Sequence, residues 1–277
     1  MKSVNTPSAI ADSLLYVHID NWEYQCCGTT PRLGVELSGT LTVYESASPR
    51  YGAPQVTGFD PRSGLVRFGA ISAQLGSGLS EPVGGLILVL SWHENEAKPR
   101  VTGTVEAVFE ETGRFLPVGD DRSLRVDPDS REFHSVDEAT RWPEEQIEGG
   151  GAATIGVVVG LRVTELRVPT ADEIEARLLW EDRVRRTVRA IVPAALFAGR
   201  APVVGDRLQL DLADPAVRAL GDHIDSSATV DGEIAEVTPL PEIPEGAGWF
   251  ALTPLTVEET VNYLVELVQD PENPVLR

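Results

Sequence analysis

From Leu14 to about Leu116 the apolar positions come in short runs rather than at helical spacing. Tyr16-Val17-His18-Ile19, Leu37 to Tyr44, Gly64 to Ile71, Leu86 to Trp92 and Val101 to Phe109 are rich in β-branched and aromatic residues. Such residues suit a pleated, half-buried surface. Gly, Pro and Ser clusters separate the runs at intervals that fit a sandwich or small barrel. Asp60-Pro61-Arg62-Ser63-Gly64 is turn chemistry, with Pro presetting φ and Gly tolerating a positive one. Residues 119–151 break the pattern with Asp120-Asp121, Asp127-Pro128-Asp129, Glu144-Glu145 and Gly149-Gly150-Gly151. They read as an acidic linker or long loop with one short helix around Ser135 to Thr140. Phe133 and Trp142 are its apolar exceptions.

The second half opens on a strand, Thr154 to Val168, ended by Pro169. Thr170 and Glu173 then have the capping-box spacing of a helix start. The helix is supported by acid-leading pairs at i, i+4: Glu173 with Arg177, Glu181 with Arg185, Asp182 with Arg186. Val184 to Val192 fits helix or strand equally. Strands follow at Arg207 to Leu212 and Ala228 to Val237. At the C-terminus Thr256 and Glu259 form a second capping box, and Val257, Val261, Leu264, Val265 and Val268 fall on one helical face. The fold expected is mainly β: two small barrel- or sandwich-like domains with a few helices, including a C-terminal amphipathic one. The domains span residues 1–118 and 152–277, with the acidic linker between them.

Two patterns recur. Pro31-x-x-Gly34-x-x-Leu37 matches Pro202-x-x-Gly205-x-x-Leu208. Val101-Thr-Gly103-Thr-Val105-Glu-Ala-Val108 matches Val230-Asp-Gly232-Glu-Ile234-Ala-Glu-Val237. Their order agrees and their separation does not: 70 residues from Pro31 to Val101, 28 from Pro202 to Val230. Duplication of one barrel and chance recurrence of Gly-anchored strands both remain open.

Composition bounds the function. The 277 residues carry 43 acids and 23 bases, a net charge of -20. At about 150 residues per domain this is one large domain or two small ones. The acid excess argues against a duplex-DNA or anionic-membrane binder, whose affinity comes from Lys and Arg on phosphates. Residues 119–151 have 10 acids and 4 bases, and residues 221–277 have 12 acids and one base. That leaves an acidic face to offer to a basic protein partner. No apolar run approaches the roughly 20 residues of a membrane span. The only cysteines, Cys26 and Cys27, are adjacent, and a bond between them would be strained. A reducing, cytoplasmic setting is expected.

The most distinctive segment is Trp22-Glu23-Tyr24-Gln25-Cys26-Cys27-Gly28, followed by Pro31 and Gly34. With Val-Thr-Gly-Thr-Val at 101–105, it resembles an uncharacterised actinobacterial family of unknown function over roughly residues 14–110. Members of that family carry Gly-Asp where this chain has Gly34-Val35. The resemblance implies a lineage and a cytoplasmic protein, and supplies no activity.

Two adjacent thiols can act as a redox pair or as soft metal ligands, here with His18 or His93 nearby. Successive side chains of a strand point to opposite faces, so both sulfurs reach one ion only if the chain turns, which Gly28 allows. A structural zinc site draws on two separated Cys or His pairs, and the chain has no second pair. Packing or turn structure is therefore the leading reading of this segment. His93-Glu94 lacks the second His and the helix of a metalloprotease motif. His134 and His223 read as surface residues. A nucleophile elbow, a phosphate loop and a dinucleotide fingerprint are all missing from the sequence. Arg177, Arg183, Arg185, Arg186 and Arg189 surround Trp180, but three of the five have acidic partners four residues away. Ion pairing thus outweighs nucleic-acid contact.

The function expected is a non-enzymatic binding or interaction protein with an acidic surface and no cofactor. Its candidate ligand contacts are Trp22, Cys26, Cys27, Gly28, Arg185 and Arg186. One alternative is a metal-dependent or thiol-redox enzyme with Cys26, Cys27 and His93 as ligands of an ion such as zinc. Another is a nucleic-acid-mimicking inhibitor of a basic protein.

Overall fold

The computed structural model describes residues 14–26, 28–46, 50–92, 97–117, 124–142, 152–197, 200–220, 227–240 and 262–271. The chain divides into two units, Met1–Glu175 and Ala176–Arg277. In the first lie β1 (Leu15–Asp20), α1 (Asn21–Cys26), β2 (Glu36–Glu45), β3 (Gly58–Asp60), β4 (Leu65–Phe68) and β5 (Ile71–Leu75). They are followed by β6 (Leu86–Ser91), β7 (Arg100–Pro117), β8 (Leu124–Val126), β9 (Glu132–Ser135) and β10 (Ala152–Arg167). Helix α2 (Ala171–Arg185) crosses the division. The second unit holds β11 (Thr187–Pro193), a 3-10 turn (Ala194–Phe197), β12 (Arg207–Asp211), β13 (Arg218–Leu220), β14 (Thr229–Leu240) and β15 (Asn262–Gln269).

Five strands of the first sheet pair in a ring. β1 runs antiparallel to β10, β10 to β7, β7 to β2 and β2 to β6. The ring closes where β6 meets β1 in parallel, at His18 and Val89. Alternation puts Val17, Ile19, Leu41, Val43, Leu88, Leu90, Val157 and Leu161 inside, all at most 1% exposed. β2 serves two neighbours by changing partner at Thr40, from Arg100 of β7 to Ser91 of β6. The change needs the glycine beside it: a Cβ on Gly39 would sit 2.5 Å from Leu90 Cδ2. The predicted turn is present, with Arg62 N–H donating to Asp60 Oδ1 (3.0 Å) and Gly64 at φ 67°.

The mainly β class stands, and several details change. The strand that opens at residue 152 does not begin a second domain. β10 lies between β1 and β7, and the first core needs its Val157, Val159 and Leu161. The described part of 119–151 is not a linker, because β8 and β9 both pair with β7. No helix forms at 135–140: Ser135 ends β9 and Glu138 bridges to Arg32.

The C-terminal amphipathic helix is a strand over the described residues 262–269. β15 inserts between β14 and β11, whose edges it satisfies, and buries Tyr263, Val265, Leu267 and Gln269 with period two. The rest of that prediction, residues 256–261, lies outside the described residues. Over 184–192 the chain is helical to Arg185 and extended from Thr187. The capping box at Thr170 is made: Thr170 N–H donates to Glu173 Oε2 (2.8 Å) and Glu173 N–H to Thr170 Oγ1 (3.3 Å). Of the helical ion pairs, Asp182 with Arg186 forms, whereas Arg177 pairs with Glu181 and Glu173 with Arg167.

The second sheet has the order β12-β14-β15-β11-β13, around Val188, Ala190, Leu210, Val230, Ile234, Val265 and Leu267. Its pairings carry the register of the first. Leu37 faces Gly103 as Leu208 faces Gly232. Val105 faces Leu161 as Ile234 faces Leu267, and one residue later both sheets carry a bulge. Leu15 faces Leu161 as Val188 faces Leu267. Gly34 (φ 78°) donates to Val105 O, which sends its own N–H to Val35 O; Gly205 (φ 92°), Ile234 and Asp206 do the same. The fifth neighbour differs, since β13 is antiparallel to β11 while β6 is parallel to β1.

Candidate functional site

The alternation that sends Ile19, Leu41, Val43, Leu88 and Leu90 inward turns Asp20, Thr42, Tyr44, Ile87, Val89 and Ser91 to the outer face of β1, β2 and β6. Helix α1 follows β1 without a break and stands at one end of this face. Between them is an open cavity of about 400 Å³, lined by those six residues with Trp22 and Glu23.

Each wall is held in place. Asn21 Nδ2 donates to Thr154 O (3.2 Å) and ties the start of α1 to β10. Glu23 is 2% exposed; its carboxylate accepts the Ser91 hydroxyl at 2.5 Å and the Trp92 N–H at 3.1 Å. Gly28 N–H closes the helix on Glu23 O (2.9 Å), and a Cβ on Gly28 would lie 2.8 Å from the Trp92 ring. That close approach is the structural reason for glycine after the two cysteines.

Trp22 is half exposed at the mouth of the cavity. Asp20 is exposed on one side, yet desolvation by the protein packed around its carboxyl raises its pKa. A hydrogen bond from Trp22 opposes the rise, repulsion from Glu23 and Glu111 adds to it, and His18 opposes it weakly. Tyr24, fully buried, has no hydrogen-bond partner for its hydroxyl among the described residues. Burial, with the charges of Glu110 and Asp20, pushes its pKa up to about 12.

On the same outer face of β1 lies a largely buried polar row. His18 Nδ1 is 3.5 Å from Glu111 Oε2, and Glu111 Oε1 is 2.8 Å from an Arg131 Nη. The other His18 nitrogen is 3.3 Å from Tyr51 O. The Tyr51 ring stacks on Phe109 (4.8 Å) and packs against Tyr16 and Phe133, with the Arg50 guanidinium over Tyr51 and Phe133. Phe133 of the supposed linker is thus part of an aromatic cover over this face.

The residues singled out in the sequence are distributed as follows. Trp22 lines the cavity, and Gly28 shapes the wall beneath it. Cys26 is exposed at the end of α1. Cys27, His93 and His223 lie outside the described residues. Among the described residues no group of three His, Cys, Asp or Glu side chains is placed to hold a metal ion. Arg185 and Arg186 belong to the second unit. Arg186 bonds Asp182 and the Gln269 carbonyl, and Arg185 lies 3.9 Å from Asp182. His134 is at the surface beside Glu132. Sequence reasoning missed Asp20, Glu23, Glu111 and Arg131. His18 and Asp20 alternate with Val17 and Ile19, a signal that sets both on one outer face.

The first unit defines a class of protein: a small β-ring domain with a lateral groove capped by one short helix. Residues 13–163 match the model of a family of unknown function (DUF6578), and the chain belongs to that family. The match runs from β1 into β10 and takes in every strand of the ring. No curated protein and no solved structure matches the chain. No helix among the described residues is long and apolar enough to cross a membrane.

Proposed function

We propose that the protein is a binding protein whose first unit takes a ligand in the groove between α1 and the outer face of β1, β2 and β6, and whose second unit is a diverged copy of the same scaffold. The carrying observation is the groove together with its counterpart. Where the first unit ends its first strand on Asp20 and follows it with Trp22 and Glu23, the second ends β11 on Pro193 and follows it, by the same count, with Ala195 and Leu196. The second sheet forms without these polar and aromatic groups, which supports a role for them in the first unit beyond strand pairing. A ligand role for Trp22 follows. Cys26, exposed at the far end of α1, is not among the groups lining the cavity.

A fragment screen by ligand-observed NMR on the full chain tests the reading. Hits are expected to lose their signal with Trp22→Ala and to keep it with Trp180→Ala. Hits that are indifferent to Trp22 would overturn it.

A further inference from the structure

The groove's lining also carries information about what it holds, provided that it is a binding site at all. We infer that its ligand is a small organic cation: an ammonium or guanidinium group on a short apolar stem.

Size, charge and floor support this together. A cavity of about 400 Å³ falls in the range of small-molecule sites, roughly 300–1,000 Å³. Its floor is Ile87, Val89 and the Tyr44 ring, with the Thr42 and Ser91 hydroxyls beside them. That surface suits a few methylene groups with a polar neighbour. The two ionisable acids in the lining are Asp20 and Glu23, and among the described residues no Lys, Arg or His lines it. Of the bases outside the lining, His18 and Arg131 are turned to Glu111, and Arg141 reaches the Gln25 carbonyl of α1 (3.5 Å). Glu23 is committed to Ser91 and Trp92, so it supplies field and a rigid wall. Asp20, exposed at the rim beside the Trp22 indole, supplies the direct contact.

A cation between an aspartate and an indole face gains from both: charge pairing with the first, and attraction to the ring's negative face with the second. An anion meets two carboxylates. A neutral ligand would cover Asp20 without compensating its charge, a cost that a cation avoids. The second unit is the internal control, for Pro193, Ala195 and Leu196 could neither pair with a cation nor stack on it.

Calorimetric titration of the full chain with a matched set of probes tests this: n-butylguanidinium, n-butylammonium, the neutral isostere n-butylurea, and butyrate. The expected result is binding of the two cations at least tenfold tighter than n-butylurea, weakened by added salt, with no binding of butyrate. Asp20→Asn should lose that tenfold preference. Trp22→Phe, which keeps a ring and removes the indole N–H, should retain most of it. Nα-acetyl-arginine methylamide separates two sources of the same chemistry. Binding equal to n-butylguanidinium assigns the cation to an arginine side chain of a protein, and weak binding assigns it to a free small molecule.

Equal affinity for n-butylurea and n-butylguanidinium, or preference for butyrate, overturns the cation while the groove stands. Failure of every probe, together with fragment hits indifferent to Trp22, overturns the groove itself.

Discussion

The two units pair their strands in one register and use it for different ends. At positions paired alike the first carries His18, Asp20 and Glu111, and the second Ile191, Pro193 and Leu240; counted on past the strand ends, Trp22, Glu23 and Tyr24 fall against Ala195, Leu196 and Phe197. What they share is the inward apolar set, the positive-φ glycine before β2 and β12, and the bulge in β7 and β14. These are therefore what the scaffold demands. Part of the polar set costs stability, since His18 and Glu111 are buried and the Tyr24 hydroxyl has no hydrogen-bond partner among the described residues. The second unit carries Ile191 and Leu240 where the first has His18 and Glu111.

The strongest way to break the comparison is to strike the shared scaffold. Leu161→Ala and Leu267→Ala remove fully buried side chains at the same place in each unit. Each is expected to cost about 2–5 kcal/mol in its own unit by urea unfolding. Penalties that differ severalfold would show that the shared register does not reflect shared packing.

Next come residue exchanges between the units. Glu23→Leu installs the second unit's residue and strands the Trp92 N–H and the Ser91 hydroxyl. A loss of about 1–3 kcal/mol is expected, against little change for Leu196→Glu at its exposed site. Tyr24→Phe imitates Phe197, whose ring meets Tyr263 edge-on at 5.5 Å. It should stabilise the first unit by about 1 kcal/mol, because it removes a buried hydroxyl that has no partner among the described residues. Loss of stability on that change would mean that Tyr24 is bonded in solution.

The smallest effect is the pH dependence of Asp20. Its folded-state pKa is raised, so between the unfolded value near 3.8 and the raised value the folded chain binds more protons. Its contribution is fully present below 3.8 and is lost as pH rises through the folded pKa. Asp20→Asn should therefore melt slightly higher than the wild type at neutral pH, and the gap should close in acid. A gap that widens in acid would reverse the sign and place Asp20 in a stabilising ion pair.

Much of the scaffold was legible because its requirements act on single residues. A glycine at positive φ and a glycine under a neighbouring carbonyl leave a mark in the sequence, and the patterns at Pro31 and Val101 share both with those at Pro202 and Val230. The strand β15 was not legible. Val261, Leu264, Val265 and Val268 fit a helix as well as Tyr263, Val265 and Leu267 fit a strand, and only the edges of β11 and β14 decide. The boundary at 118 failed for a related reason: nothing local says that β10 must return to complete the first core.

In the site, Trp22 and Gly28 stood out by residue type. Asp20, Glu23 and Glu111 did not, because in a chain with 43 acids no single carboxylate is conspicuous. What singles them out is a face assembled from strands far apart in sequence.

The parallel step between β6 and β1 has a consequence of parity. A ring of five strands cannot alternate direction all the way round, so one seam must be parallel, and here it lies under the groove. Asp20 stands on one side of that seam and Val89 on the other. An occupant touching both would act as a clasp, slowing amide exchange along β1 and β6 first and leaving β7 and β10 unchanged.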